Sequence, residues 1–362
     1  MNIVKSTSSF ESWLGQRTFI VKAELKFKHQ QMAASAFPFL RSTFYRWLQV
    51  WPEVCQDLKK CPKILAVGDL HVENFGTWRD AEGRLVWGVN DFDEAYWLPF
   101  SVDLVRVVVS ALLAIREKDL SLNPKQVAPA VLEGYTNALK EGGRPFLLAE
   151  EHAWLRDIAQ SKFRDPVNFW QQLRVLPAVG DDLPLSAWDA LNSSMPAPNL
   201  KFRVLARRAG LGSLGHERFV GLLQWQGGWA ARECKALVPS SAYWVAGKTG
   251  LMEIFYQVLL NQAVRCPDPF LRLRGQWIVR RLSSQCSKVR LNAMSASRQQ
   301  LKLLYSMGWE TANIHLGNPR AAAAISAYLK KSRANWLQKA AEAMEQATIR
   351  DWKDWKKSGA GK

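Results

Sequence analysis

The stretch VGDLHVENFG, residues 67–76, places four polar side chains within six positions, directly after an apolar run. They are Asp69, His71, Glu73 and Asn74. Burying an unpaired charge costs several kcal/mol, so each group needs a partner if the stretch follows a buried strand. A bound metal ion or phosphate would supply that partner, and hydrogen bonds to loop amides are the alternative. The stretch therefore predicts a loop that either binds a ligand or is capped internally.

The residues on either side of this stretch predict a strand followed by a β-hairpin. KILAVGD (63–69) is a short apolar run, and RDAEG (79–83) is rich in turn-forming residues. The turn separates two segments rich in β-branched and aromatic residues, NFGTW (74–78) and RLVWGVND (84–91). We therefore expect the hairpin to return its far end to the first loop.

Four oxygen-bearing side chains then fit one magnesium site: Asp69, Asn74, Asp91 and Asp93. Mg²⁺ takes a few oxygen ligands from a protein and leaves the rest of its coordination sphere to phosphates and water. Asn74 and Asp91 are candidate ligands, and Asp69 remains free to orient and deprotonate an attacking hydroxyl group. The alternative is a pair of Asx turns whose carboxylates cap loop amides.

A second segment, AGLGSLG (209–215), has the spacing G-x-G-x-x-G. A dinucleotide-binding turn has the same spacing, but it needs a helix directly after the glycines. HERFVGLLQW (216–225) instead has the pattern of a strand, so a glycine-rich hairpin over nucleotide phosphates fits better than a dinucleotide turn. An ordinary hairpin turn is the alternative. The candidate nucleotide-binding residues are Gly210, Gly212, Ser213 and Gly215.

Lys235 lies in ARECKAL (231–237), on the strand predicted after the glycine hairpin. A lysine at this place can reach the α- and β-phosphates of a nucleotide, and an acid on a following helix would hold it there. We predict that Glu253, in GLMEIFYQ (250–257), is that acid. A solvent-exposed lysine and a solvent-exposed glutamate are the alternatives.

The best domain boundary is NSSMPAPN (192–199), because Ser, Pro and Asn interrupt the periodic pattern there. Before it, the pattern is mainly helical; after it, strands are predicted first and helices follow. Apolar periodicity predicts helices at 33–51, 102–117, about 124–141, about 146–160, about 249–263 and through the last part of the chain to about residue 355.

The chain carries a formal net charge of +17, which attracts nucleotides, nucleic acids and other acidic partners. The basic residues are dispersed, so a dedicated nucleic-acid-binding tail is possible but not favoured. The five cysteines form no C-x-x-C pair and indicate a reducing cytoplasm. The most apolar helix candidate (102–115) is too short to span a bilayer, and no export signal is evident, so we expect a cytoplasmic protein without membrane insertion.

Taken together, these motifs resemble the protein-kinase-like superfamily. VGDLHVEN (67–74) resembles the catalytic loop of aminoglycoside and choline kinases, in which G-D-x-x-x-x-N carries a base and a metal ligand. VNDFDE (89–94) resembles their second metal motif, and FSVDLVR (100–106) resembles the helix whose aspartate braces the loop. The resemblance implies the following roles: Asp69 as the base, Asn74, Asp91 and Asp93 as metal ligands, and Asp103 as the brace.

The sequence is similar, more narrowly, to a bacterial family known as domain of unknown function 2252. No reaction is established for that family, so the resemblance implies a fold and a site but no substrate. The matching segments run in the family's order from about residue 37 to 317: FPFLRST, VGDLHVENFG, VNDFDEAYW, GLGSLG, ECKAL, WIVRRLSSQ and MGWETANIHLG.

In ordinary kinases the glycine loop and the lysine precede the catalytic loop, whereas here they follow it by more than 130 residues. The resemblance therefore implies an α+β, bilobal, protein-kinase-like fold with permuted lobe order, a mostly helical large lobe and a small antiparallel-sheet lobe. Its segments would be 1–195 as the catalytic core, 196–285 as the nucleotide-binding sheet, and 286–362 as helices that pack back on the large lobe.

Three further residues of these motifs are expected to support the site. His71 and Glu73 would hold the shape of the loop through hydrogen bonds. Arg41, in FLRST (39–43), would pair with a loop carboxylate, and binding of a phosphate is its alternative role.

The sequence thus predicts a phosphotransferase that uses ATP and Mg²⁺ to phosphorylate a hydroxyl group of an unknown small molecule or protein. Transfer of AMP by the same site remains open. A non-catalytic nucleotide-binding regulatory protein and a basic nucleic-acid-binding protein are the alternatives. A pure binding module has no need of the base Asp69, which favours the enzyme.

Overall fold

The structure, a computed structural model, describes residues 1–148, 151–159, 165–180, 182–286 and 297–361. In these ranges the chain has a mixed α+β fold with small antiparallel sheets, which confirms the fold class at that level. The helices are α1 (Ile3–Gly15), α2 (Lys22–Ala34), α3 (Ala36–Ser42), α4 (Phe44–Val54), α5 (Ser101–Arg116), α6 (Pro124–Glu141), α7 (Ala153–Ala159), α8 (Pro166–Arg174), α9 (Leu185–Asn192), α10 (Ala242–Val245), α11 (Tyr256–Gln262), α12 (Ser297–His315), α13 (Pro319–Lys331) and α14 (Trp336–Ser358).

The strands form three antiparallel sheets within the described residues: β1 with β4, β2-β3-β5, and a five-stranded sheet in the order β6-β7-β8-β10-β9. A short 3-10 helix covers Gln56–Leu58. The strands are β1 (Lys63–Ala66), β2 (Phe75–Arg79), β3 (Leu85–Val89), β4 (Tyr96–Pro99), β5 (Phe146–Leu147), β6 (Arg203–Ala206), β7 (Arg218–Trp225), β8 (Gly228–Ala236), β9 (Arg272–Arg274) and β10 (Trp277–Leu282).

The hairpin predicted at residues 74–91 is confirmed as β2 and β3. Phe75 is paired with Val89, and the backbone N–H of Asn90 donates to the carbonyl oxygen of Asn74 at 3.0 Å. The two loops that flank the hairpin, residues 67–74 and 90–95, therefore start from adjacent backbone positions. This register brings the two polar motifs together.

The core of the helical part joins segments that are far apart in sequence. Helix α5 is buried along almost its whole length and packs against α14, and α6 packs along α12. The α6–α12 contact is very close, because a Cβ at Gly134 would overlap the carbonyl oxygen of Tyr305 and one at Gly308 would overlap that of Val131. The C-terminal helices thus complete a core that the first part of the chain begins.

The five-stranded sheet has its own apolar contacts on both faces. Residues of α9 and Met195 pack with Phe219 and Trp277 on one face, and Leu173 of α8 packs with Val220 on the other. Both helices precede the boundary predicted at residue 195, yet they cover the sheet that follows it. The predicted division into 1–195, 196–285 and 286–362 stays a prediction.

Three predicted helices differ in extent from those observed. The stretch 33–51 contains parts of three helices, and the hydroxyl of Thr43, between α3 and α4, bonds the carbonyl oxygen of Phe39 at 2.7 Å. The stretch 146–160 begins with β5, and part of it lies outside the described residues. The helix predicted at 249–263 begins only at Tyr256 of α11, and Gly250, with a φ of +88°, is not helical. None of the described helices combines the length and apolar character that a membrane span requires.

Candidate functional site

A cavity of about 80 Å³ lies where the two polar loops meet the glycine segment. Phe10 and Leu14 of α1 and Lys28 of α2 also line it. The cavity collects nine of the residues predicted from the sequence, which lie up to 172 positions apart: Arg41, Asp69, His71, Asn74, Asp91, Asp93, Gly210, Gly212 and Ser213.

The loop that carries Asp69 is fixed at its start by the helix that follows the hairpin. Asp103, in the first turn of α5, accepts hydrogen bonds from the backbone N–H groups of Val67 and Gly68 at 2.8 and 2.9 Å. Gly68 has a φ of +89°, and a Cβ at this position would overlap the carbonyl oxygen of Glu94. The loop is therefore held by a buried carboxylate and by close packing against the second loop.

Asn74 closes the same loop from its other end. Its amide nitrogen donates to the carbonyl oxygen of Asp69 at 2.6 Å, and its backbone N–H donates to the carbonyl oxygen of His71 at 2.8 Å. The ring nitrogen Nδ1 of His71 accepts from the backbone N–H of Glu73 at 3.2 Å. Glu73 in turn forms an ion pair with Arg41, the pairing that the sequence interpretation favoured.

The carboxylate of Asp69 is oriented by Arg106 of α5, whose Nε lies 2.6 Å from Oδ1. Arg106 is fully buried between the rings of Phe44 and Trp47, with its guanidinium carbon 4.9 Å from each ring centroid. Burial raises the pKa of Asp69, and the charges of Arg106 and Arg41 oppose that rise. Asp69 is thus an oriented carboxylate with a strengthened affinity for a proton.

Two carboxylates face each other on the second loop, beside one lysine. The Nζ of Lys235 lies 3.4 Å from Oδ1 of Asp91 and forms an ion pair with Asp93. Burial, and next the neighbouring charge of Asp91, raise the pKa of Asp93 to about 6 although Lys235 opposes this. The oxygen Oδ1 of Asp93 is buried without a hydrogen-bond donor. An oxygen pair of this kind, with one orphaned acceptor, suits a hard divalent cation.

The donor set for such a cation extends beyond carboxylates. No cluster of three or more His, Cys, Asp or Glu with ligand geometry occurs in the described ranges. A cation at Asp91 and Asp93 would therefore depend on the amide oxygen of Asn74, on water and on phosphate oxygens. Mg²⁺ commonly keeps ligands of these kinds.

The glycine segment connects the antiparallel neighbours β6 and β7, so a strand and not a helix follows it. A Cβ at Gly212 would lie 3.0 Å from the carbonyl oxygen of Arg41 and 3.5 Å from Oδ2 of Asp69. Ser213 is held from below by Arg218, whose guanidinium donates to its hydroxyl at 2.7 Å. The segment thus lies directly over the candidate base.

Part of the chain that forms this site matches a known protein family. Residues 18–165 match the family described as "Uncharacterized protein conserved in bacteria (DUF2252)". The resemblance to this family is therefore confirmed over those residues, whereas the wider resemblance to protein kinases stays a prediction. No curated protein and no solved structure matches the chain.

The DUF2252 match contains both polar loops, and it ends before the glycine segment and Lys235. It also contains Lys28 and Arg106, two cations of the site that the sequence interpretation missed. Arg106 left a signal, because it is a charged residue within the most apolar helix. Lys28 left none, since α2 has no strong apolar face and Lys28 resembles the other dispersed basic residues.

The structure does not bring Glu253 to Lys235. Glu253 is exposed in the irregular segment before α11, and its backbone N–H bonds the hydroxyl of Tyr243 at 3.0 Å. Lys235 is instead paired with Asp91 and Asp93 of the second loop. The expected lysine–glutamate pair is therefore corrected to a lysine–aspartate cluster.

A different acid, Glu233, lies buried in the sheet below the glycine segment. It forms ion pairs with Arg207, Arg218 and Arg280. Burial acts to raise the pKa of Glu233, but the three guanidinium groups hold it well below its usual value. Because Arg218 also binds Ser213, this cluster ties the glycine segment to the sheet. Gly215, at the end of the segment, is held by the carboxylate of Glu24, which accepts from its N–H at 3.2 Å.

Proposed function

We propose that the protein is an ATP- and Mg²⁺-dependent phosphotransferase with a permuted kinase-like arrangement of its parts. The observation that carries the proposal is the convergence of three separate motifs on one cavity. An oriented carboxylate, a pair of carboxylates with an amide, and a glycine-rich turn are the parts that phosphoryl transfer requires.

Asp69 is the base in this proposal. It accepts the proton of an acceptor hydroxyl group as the acceptor oxygen bonds to the γ-phosphorus, and the bond from that phosphorus to the β-γ bridging oxygen breaks, which releases ADP. The proton then leaves Asp69 for solvent. Its raised pKa suits this role, and Arg106 keeps the carboxylate pointed into the cavity.

Asn74, Asp91 and Asp93 would hold the metal ion. When bound, Mg²⁺ neutralises charge on the phosphate oxygens. Lys235 lies beside the same carboxylates and would contact nucleotide phosphates. The glycine segment contributes backbone N–H groups, and its lack of side chains at Gly210 and Gly212 permits a close approach of phosphate.

The nucleotide requires a change in the glycine segment. A cavity of about 80 Å³ holds water molecules but is smaller than a nucleotide. Gly212 covers Asp69, so this turn must move away from the loop at residues 67–74 for ATP to enter. In this proposal the present arrangement of the glycine segment is the closed one.

A non-catalytic nucleotide-binding protein is the second candidate. The ion pair of Asp69 with Arg106 favours it, because this cation opposes the rise in pKa that burial gives to Asp69. All five cysteines are free thiols, so we propose a reducing, cytoplasmic location for either function.

The test is calorimetric titration of ATP, with and without Mg²⁺, on the wild type and on Asp91→Ala. We expect Mg²⁺-dependent binding that the substitution removes. No binding at millimolar ATP by a folded wild type overturns the proposal. If ATP binds, hydrolysis or transfer by the wild type but not by Asp69→Asn supports the enzyme, and equal behaviour of the two supports the non-catalytic alternative.

A further inference from the structure

Lys28, on the inner side of α2, is a buried lysine that lines the cavity. It is 6 % exposed, and its Nζ donates a hydrogen bond to the carbonyl oxygen of Gly212 at 2.8 Å. Neither the metal-ligand candidates nor the base uses it. The residue therefore has no role in the site as described so far.

The ammonium of Lys28 is poorly compensated. No carboxylate oxygen of the described residues lies within 4 Å of its Nζ, and Glu11, Asp69 and Glu94 act on it only at longer range. Burial lowers its pKa. An ammonium has three N–H donors, and the carbonyl of Gly212 occupies one of them. A buried cation in this condition gains from the arrival of an anion.

Arg41, which also lines the cavity, differs from Lys28 because it already has an anionic partner. It is paired with the carboxylate of Glu73. Lys235 and Arg106, just behind the cavity wall, are paired with aspartates of the two loops. His216 adds no charge at neutral pH, because burial lowers its pKa to about 3. Among the described residues around the cavity, Lys28 is thus the cation best able to accept a new anionic partner.

Entry of a nucleotide would remove the present partner of Lys28. Gly212 must move away from Asp69 to make room, and its carbonyl then leaves the ammonium. A terminal phosphate that lies beneath the glycine segment and next to Asp69 would present oxygens to the same Nζ. The exchange keeps a buried donor satisfied, which is the less costly outcome in a low-dielectric site.

We infer that Lys28 binds the terminal phosphate of the nucleotide, and that it exchanges the carbonyl of Gly212 for a phosphate oxygen as the glycine segment opens. This inference rests on the proposed function. It makes the N-terminal helix α2 a part of the nucleotide site, which the kinase-like motifs alone do not include. It also predicts discrimination between nucleoside triphosphates and diphosphates.

The experiment compares the affinities of ATP and ADP, both with Mg²⁺, by calorimetry. Wild type, Lys28→Met, Lys28→Gln and Lys28→Arg are measured. Gln retains a donor for the Gly212 carbonyl but no charge, so it separates support of the turn from binding of phosphate. Because Met removes a poorly compensated buried charge, we expect the variant to remain folded, and thermal unfolding checks this for all three.

We expect Lys28→Met and Lys28→Gln to weaken the affinity for ATP by roughly tenfold to 100-fold, since a charge-assisted hydrogen bond is lost. The affinity for ADP should change by less than about threefold. Arg should retain most of the ATP affinity. An unchanged ratio of ATP to ADP affinity in both Met and Gln overturns the inference but leaves the proposed function in place. The inference is also overturned if Lys28→Met lowers the affinities for ATP and ADP equally and Lys28→Gln restores both. Lys28 would then only support the turn. Absence of binding of either nucleotide to the wild type overturns the proposed function and this inference together.

Discussion

The Nε2 of His315 lies 3.0 Å from Oδ2 of Asp103, although 212 positions separate the two residues in sequence. Asp103 is the residue that holds the backbone of Val67 and Gly68, and the other ring nitrogen of His315 bonds the hydroxyl of Tyr135 at 2.8 Å. The last turn of α12 therefore supports the loop that carries the candidate base. Tyr135, His315 and Asp103 form a hydrogen-bonded relay, and all three side chains are buried in the core.

Replacing His315 should lower both the stability of the fold and the rate of the proposed phosphoryl transfer. His315→Leu leaves the hydroxyl of Tyr135 and one oxygen of Asp103 short of a partner, so we expect a loss of about 1–3 kcal/mol in the free energy of unfolding. Urea denaturation measures the loss, and His315→Gln, which can bond both neighbours, is the matched control. Equal unfolding free energies of His315→Leu, His315→Gln and the wild type would show that the relay contributes nothing to stability.

The close contact of α6 and α12 predicts that two glycines cannot be enlarged. At Gly134 and Gly308 a methyl group would meet backbone carbonyl oxygens, which cannot rotate away. We expect each glycine-to-alanine change to cost about 1–3 kcal/mol of unfolding free energy through overpacking, despite the better helix propensity of alanine. Gly180→Ala is the control, because nothing lies within 4 Å of its added Cβ. The idea is wrong if Gly134→Ala melts at or above the temperature of the control.

Glu310 predicts a specific pH dependence of stability. It accepts hydrogen bonds from the backbone N–H of Val89 and the amide of Asn313, and burial raises its pKa from 4.5 to about 7. A carboxyl with a raised pKa in the folded state stabilises the protein below the unfolded value, and this contribution is lost as the pH rises from about 4.5 through about 7. Each pH unit in that window removes up to about 1.4 kcal/mol.

The measurement is the unfolding free energy of wild type and Glu310→Gln at several pH values from 4.5 to 8. Other buried carboxyls titrate in the same window, so the quantity of interest is the difference between the two proteins. Gln does not titrate and loses one accepted hydrogen bond, so the variant should be less stable at low pH and should approach the wild type as the pH rises. Parallel curves for the two proteins would refute the role of Glu310.

Asp69→Asn should separate chemistry from binding. Asn still accepts a hydrogen bond from Arg106 but cannot take a proton from a hydroxyl group at neutral pH. We expect the transfer or hydrolysis rate to fall by about 10²–10⁴-fold, the usual contribution of a general base, with ATP affinity changed only a few-fold. Asp57→Asn, a substitution at a surface aspartate of the 3-10 helix, is the control. A rate that survives in Asp69→Asn would mean that another group is the base.

The parts of the site that could be predicted from the sequence rest on short-range patterns. The hairpin of β2 and β3 follows from its turn residues, and its register alone brings Asp91 close to Asn74. The strand after Gly215 distinguishes a hairpin from a dinucleotide-binding turn. Each of these conclusions needs fewer than about 20 consecutive residues, a range in which local propensity and periodicity are informative.

The parts that could not be predicted depend on contacts between distant segments. Lys28 meets Gly212 across 184 positions and Arg116 meets Glu345 across 229, and no local pattern encodes such partners. The predicted pairing of Glu253 with Lys235 requires a helix that contains residue 253, whereas the helix begins only at Tyr256. In the sequence Glu233 is one of many charged residues, and only the fold brings Arg207, Arg218 and Arg280 around it.

The packing of α5 against α14 has a consequence for synthesis of the chain. Helix α5 is the most apolar helix, and α14, which covers it, begins about 220 residues later. At about 5–20 residues per second, a ribosome needs roughly 10–45 s to make the intervening chain. Throughout that interval the face of α5 that α14 covers in the folded protein stays exposed, so the yield in a cell should depend on chaperone supply and on uninterrupted translation.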